Sequence, residues 1–109
     1  MGSVSVISHR KAVESAVEAA IARALEICGG KAESYAKDLC PVDTGHLRKH
    51  IAHQAESPTV MAIGTNVEYA PYVELGTYKM AARPYIAPSV ENHMSEYANI
   101  IQKELKKIG

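Results

Sequence analysis

From Ser8 to Leu39 the apolar residues of this chain recur at helical spacing. Val13, Val17, Ile21 and Leu25 step by four along one row, and Ala12, Ala16, Ala20, Ala24, Cys28, Ala32 and Ala36 fill the adjacent row. Tyr35 and Leu39 carry the stripe on to Pro41, which cannot continue a helix. The pattern predicts a helix capped at Ser8, about thirty residues and roughly 45 Å long, which is longer than a globular core needs. Gly29-Gly30 is its weak point, since each glycine costs about 1 kcal/mol relative to alanine inside a helix. The apolar phase is kept across the pair, so the expectation is one helix, bent or loosened there; two helices joined at the pair are the alternative. A row of small side chains lets another backbone approach closely. Packing on the domain's own sheet accounts for most of the row, yet its length exceeds what one small sheet covers.

Pro41 biases Cys40 away from helical geometry. Asp43 or Thr44 can then cap a short helical turn in which Leu47 is the buried residue. Ile51–Ala55 reads as a strand, Glu56-Ser57-Pro58 as a hairpin loop and Thr59–Gly64 as the returning strand. Val67–Leu75 fits two patterns. Tyr69, Pro71, Val73 and Leu75 alternate as in a strand, while Pro71 as a first helical residue and Gly76 as a stop fit a short helix, the reading adopted here. Thr77–Ala82 reads as an exposed loop and Arg83-Pro84-Tyr85-Ile86 as extended chain. A final helix follows from Pro88, its apolar face formed by Val90, Met94, Tyr97, Ile101, Leu105 and Ile108. Glu91 and Glu96 early and Lys103, Lys106 and Lys107 late suit its dipole.

Composition changes this picture in three places. The 109 residues contain no Trp or Phe, so six Tyr supply the aromatic bulk, and a core of Ala, Val, Ile and Leu is thin for a free monomer. Twelve basic and twelve acidic residues cancel, which argues against a default nucleic-acid or anionic-membrane partner. Cys28 and Cys40, twelve residues apart on one helix, would lie roughly 18 Å apart, too far for a disulfide, and read as small buried hydrophobes. The N-terminus shows no signal-peptide pattern and no stretch is long and apolar enough to span a bilayer. The chain is expected to form one domain, residues 1–109.

Candidate chemistry is sparse. His46, His50 and His53 would share a helical face, but the residues after His50 read as strand and no Cys or acidic ligand has matching spacing. There is no nucleophile elbow, phosphate-binding glycine loop or zinc-protease helix. Arg48 and Arg83 have cheaper partners in Asp43, Glu68 or Glu74 than in a bound anion. Glu74 and Arg83, flanked by Tyr72, Val73, Tyr85 and Ile86, are expected to be partly buried and paired with polar groups around the Gly64-Thr65 and Gly76-Thr77 turns.

Four segments in order carry a resemblance: Pro41-Val42-Asp43-Thr44-Gly45-His46-Leu47-Arg48, Ile63-Gly64-Thr65-Asn66, Tyr69–Thr77, and Met80-Ala81-Ala82-Arg83-Pro84-Tyr85-Ile86-Ala87-Pro88. Together they resemble the head–tail joining (tail-completion, or neck) proteins of long-tailed bacteriophages, over roughly Ala36–Ser89. His50 departs from the family, where a small polar residue is usual. The resemblance implies an α+β fold, with a long N-terminal helix and a C-terminal helix packed on a small antiparallel β-sheet. It implies a non-enzymatic virion protein that forms a ring, taken as hexameric, assembles in the host cytoplasm and needs no cofactor. The partners implied are the tail tube protein and head-side connector proteins, with passing contact to DNA in the lumen and none with a membrane. Pro41, Asp43, Thr44, Gly45, Leu47 and Arg48 would then form a structural turn. Glu74, Tyr78, Lys79, Met80 and Arg83 are the candidate interface, with the edge strand near Ile51–Ala55 as another. A small phage-encoded cytoplasmic regulator or toxin-like enzyme is the rival reading, and it requires a convergent polar pocket with strongly shifted titrations.

Overall fold

The computed structural model describes residues 2–40, 45–65, 67, 70–76 and 81–108, of which 2–9, 45, 46 and 71 are described by backbone alone. Its spine is α1 (Gly2–Leu39), a single 38-residue helix. At 1.5 Å per residue it is roughly 57 Å long, in a molecule 70 Å in its longest dimension and 23 × 22 Å across. Ser8 is therefore inside the helix and does not start it. Between Ser3 and Cys28 the chain has neither Gly nor Pro, so nothing stops the helix short of Gly2. The alanine row is the buried one: Ala20, Ala24, Cys28, Ala32 and Ala36 are buried, while Val13 in the adjacent row is exposed.

The helix also runs unbroken through Gly29-Gly30. The two glycines differ in their surroundings. A Cβ on Gly29 would lie 2.8 Å from His53 Cδ2 and 3.0 Å from Met61 Cγ, whereas one on Gly30 would meet nothing within 4 Å. Gly29 is thus a notch that lets a hairpin sit against the helix, rather than the bend expected from propensity.

That hairpin is β1 (Ala52–Ser57) and β2 (Val60–Gly64), antiparallel, with His53 opposite Ile63 and Ala55 opposite Met61. The turn falls at Pro58-Thr59, so the loop lies one to two residues beyond the expected Glu56-Ser57-Pro58, and Ile51 precedes the strand. The register shifts between Ala55 and Ser57, which leaves Glu56 as the extra residue of a bulge. His53 and Met61 lie on the face turned to Gly29. Among the described residues the sheet has two strands only, so α1 serves as its second layer.

α2 (Gly45–Lys49) and α3 (Ala70–Leu75) are single turns flanking the hairpin. Gly76 ends α3 at φ 78°, its N–H bonded to the Tyr72 carbonyl, as expected for a glycine stop. Ile86 is already helical rather than extended, and the expected last helix is two: α4 (Ile86–Glu91) and α5 (Met94–Lys106). The break lies at Asn92-His93, where the Asn92 and His93 N–H groups close on the Pro88 and Val90 carbonyls. The His93 ring stacks on Tyr35 of α1 with centroids 3.7 Å apart, and Tyr97 donates its hydroxyl proton to the Ser89 carbonyl. The stack ties the break to α1, and the Tyr97 bond ties α5 back to α4.

Two adjoining cores result. One gathers Ala36, Cys40, Leu47, Ile51, Val67, Ala70, Val73 and Tyr85; the other centres on Cys28, Ala32 and Tyr97, and Ile63 packs on both. Tyr85 and Leu47 are the largest fully buried apolar side chains, consistent with a core poor in rings. The architecture is α+β, with the hairpin and the C-terminal helices sharing α1 as their support.

Candidate assembly surface

Of the six residues read as a structural turn, Pro41, Asp43 and Thr44 lie outside the described residues. Gly45 opens α2, and Leu47 on the same turn is fully buried. Arg48 faces Asp38 of α1 at 3.9 Å, a long and exposed pair worth little. Neither cysteine is in a disulfide and both are buried; the Cys28 thiol is pushed up by its burial.

Glu74 is half-buried and hydrogen-bonded. Its carboxylate accepts the backbone N–H groups of Tyr85 (3.1 Å), Ile86 (2.9 Å) and Ala87 (3.2 Å). These are the orphan donors at the start of α4, which has no side-chain cap of its own. The next residue, Pro88, has no N–H to satisfy. Glu74 therefore caps α4 from α3. The Arg83 N–H donates to the Val73 carbonyl at 2.8 Å, bringing the chain back alongside α3, while the Arg83 residue is exposed. Tyr78, Lys79 and Met80 lie outside the described residues.

Charged groups otherwise gather along α1. Tyr35 donates to Glu96 at 2.7 Å and Lys31 pairs with the same carboxylate at 3.1 Å, which holds Glu96 below its ordinary range and raises both donors. Burial pushes the Tyr97 hydroxyl up to about 12, so it remains a donor. Glu104, buried on α5, lies between Lys107 at 2.9 Å and Arg23 at 3.4 Å, and is lowered first by the Lys107 hydrogen bond. Nearer the hairpin, His53 sits between Glu26 and Glu33. Glu26 and Glu33 are seven residues apart and so share a helical face around Gly29; that spacing was visible in the sequence, but its histidine partner comes from a strand. Among the described residues no set of three or more His, Cys, Asp or Glu side chains is arranged to hold a metal ion.

The exposed apolar residues lie elsewhere. On α3, Val73 and Ala70 face the core while Tyr72 and Leu75 point outward, 58% and 78% exposed. A 3.6-residue period applied to Ala70–Leu75 separates these two faces; the alternating reading of the same residues put Leu75 with Val73 instead. On the other side, α1, β2 and α5 leave an apolar groove of about 220 Å³ lined by Leu25, Met61, Met94 and Ile101, with Met94 59% exposed. No helix among the described residues is long and apolar enough to cross a membrane.

A family model described as "Bacteriophage HK97-gp10, putative tail-component" matches residues 8–76, well over half of the chain. The chain belongs to the HK97-gp10-like family. The match in this HK97-gp10-like protein runs from α1 through the hairpin to the Gly76 stop of α3, so the spine, the notch and the Tyr72–Leu75 face all fall inside it. The α4–α5 segment lies beyond it. Membership places the protein among structural components of bacteriophage tails, which belong to the virion and work by contact with other virion proteins. No curated protein and no solved structure matches the chain.

Proposed function

We propose that this chain is a non-catalytic, ring-forming adaptor that completes the tail end or joins head to tail in a bacteriophage or prophage virion. The observation that carries the reading is α1. Among the described side chains, those of residues 10–15 are exposed, those of Ala16 and Val17 half-buried, and Ala20 is the first that is fully buried, so the exposed stretch lies at the N-terminal side of the subunit's own core. The exposed N-terminal stretch adds little to a lone subunit of this size, and it supplies a surface for a neighbouring copy. The exposed Tyr72 and Leu75 give a second face for docking, and with no large single-signed charge the chain is suited to packing against protein. In this reading residues 1–109 form one joining domain, the ring is a hexamer, and its two faces meet the tail tube protein and a head-side connector. DNA passes through the lumen without being read. Assembly takes place in the host cytoplasm.

Light scattering and negative-stain imaging of the purified protein, alone and with tail tubes, test this directly. Rings, free or seated on tube ends, are the expected result. A phage lacking the gene should accumulate filled heads and separate tails. Normal infectious particles from that deletion, or a protein that stays monomeric on mixing with tubes, would overturn the adaptor reading.

A further inference from the structure

The contact between the hairpin and α1 has a chemistry that tail assembly does not require. His53 on β1 is placed over the Gly29 notch with a carboxylate roughly one helical turn to either side. Its Nε2 lies 2.8 Å from Glu26 Oε1 and its Nδ1 3.0 Å from Glu33 Oε1. The His53 backbone N–H also donates to Glu33 Oε1, at 3.1 Å. Both ring nitrogens thus face acceptors that have no proton to give when ionised. Only an imidazolium satisfies both at once, because a neutral imidazole has a single N–H and must turn a lone pair on one of the two carboxylates.

We propose that His53 is a protonation-dependent latch that fastens the β1–β2 hairpin to α1 when both ring nitrogens carry protons and loosens it when one is lost.

The two carboxylates are not equivalent. Glu33 is anchored, with a side chain 25% exposed and its second oxygen held by Lys37 at 3.1 Å. Glu26 is 66% exposed and, among the described residues, its carboxylate is held by His53. Deprotonation therefore releases the Glu26 arm, while the Glu33 arm persists through the backbone N–H. From β2 the hairpin brings only Met61 and Ile63 to this place, neither of them charged. From the turn before β1, His50 shares with His53 an open cavity of about 570 Å³ on the hairpin. Lys37 stands behind Glu33. Gly29 makes the arrangement possible, since any Cβ there would displace the ring.

The direction with pH follows from the same contacts. Hydrogen bonds to Glu26 and then Glu33 raise His53 above its ordinary 6.5, against the smaller opposing effect of burial. The latch is therefore fully closed below 6.5 and opens as pH rises through the higher folded value. Burial opposes ionisation of Glu33, but the hydrogen bonds from His53 and Lys37 together outweigh it and hold that carboxylate below 4.5. On the acid side the Glu33 contribution is present above 4.5 and is lost only as pH falls through the lowered value.

The test is a histidine NMR titration combined with amide hydrogen exchange over residues 52–64, corrected for intrinsic exchange, from pH 5 to 9. His53 should titrate above 6.5. Hairpin protection should fall with pH through that value, by up to about tenfold for each pH unit separating the folded titration from 6.5, through an opening of the hairpin that costs less than global unfolding at every pH. Glu26→Gln, an exposed substitution that leaves the fold intact, should move the His53 titration down and shrink the fall in protection. Flat hairpin protection through the titration would overturn the latch. So would a loss of protection that merely follows global unfolding, or a titration indifferent to Glu26→Gln.

Discussion

Glu74→Ala removes the acceptor for three backbone donors at once, and its effect can be worked from the contacts. The Tyr85 residue is fully buried and Ile86 is half-buried, so their N–H groups lose a charged acceptor that water replaces poorly; Ala87 is exposed and is rehydrated at little cost. Two such donors at about 1–1.5 kcal/mol each give a loss of about 2–3 kcal/mol, somewhat above the ~1 kcal/mol of an ordinary helix cap. For a chain of this length, with an unfolding entropy of about 2.1 cal/mol/K per residue, that loss lowers Tm by roughly 10 °C. Glu74→Gln keeps one carbonyl oxygen for Tyr85 and Ile86 but can turn an NH₂ toward Ala87, and should lose about 1 kcal/mol. Thermal and urea unfolding followed by circular dichroism give the stability. Amide exchange at residues 85–87 gives the location, since those protons should exchange faster in the Ala variant. If Glu74→Ala melts with the parent and exchange at 85–87 is unaltered, Glu74 is not the cap of α4. A large loss of stability without faster exchange there would place its effect elsewhere.

The two adjacent glycines of α1 should respond with opposite signs to alanine. Gly30→Ala should gain up to about 1 kcal/mol from helix propensity, whereas Gly29→Ala, whose Cβ would meet the His53 ring at 2.8 Å, should lose about 1–2 kcal/mol net. Urea midpoints that shift the same way for both would refute the notch. Leu47→Ala, at a fully buried site, should lose about 2–5 kcal/mol in the same assay, and an unmoved midpoint would remove Leu47 from the core. Replacing Tyr72 and Leu75 together by Lys should leave unfolding within about 0.5 kcal/mol of the parent while reducing the yield of joined particles, because both side chains point into solvent. Full infectivity would place the docking face elsewhere.

Elements governed by local chemistry were legible in the sequence. Pro41 marks the end of α1 at Leu39, Gly76 the end of α3, and the four-residue steps of the alanine row identify the buried face. What escaped depends on contacts distant in sequence. Nothing near Tyr85 signals that its N–H will be capped by a carboxylate eleven residues earlier. The Val90–Ile108 stripe keeps its helical phase across Asn92-His93, so periodicity cannot reveal a break stabilised by stacking on Tyr35. Gly29 looked like a flaw in a helix because its justification, the His53 ring, lies on another element. For the assembly surface, the outward face of α3 follows once residues 70–75 are known to be helical.

The N-terminal part of α1 behaves as a lever. The helix axis runs roughly 27 Å from Ala20 back to Gly2, so a tilt of about 10° at Ala20 carries its tip by roughly 5 Å. Angular differences too small to disturb the packing of Ala20 and Ala24 become displacements the size of a side chain at the far end. In the ring proposed above, a neighbour that gripped the tip would thereby set the inclination of the whole subunit.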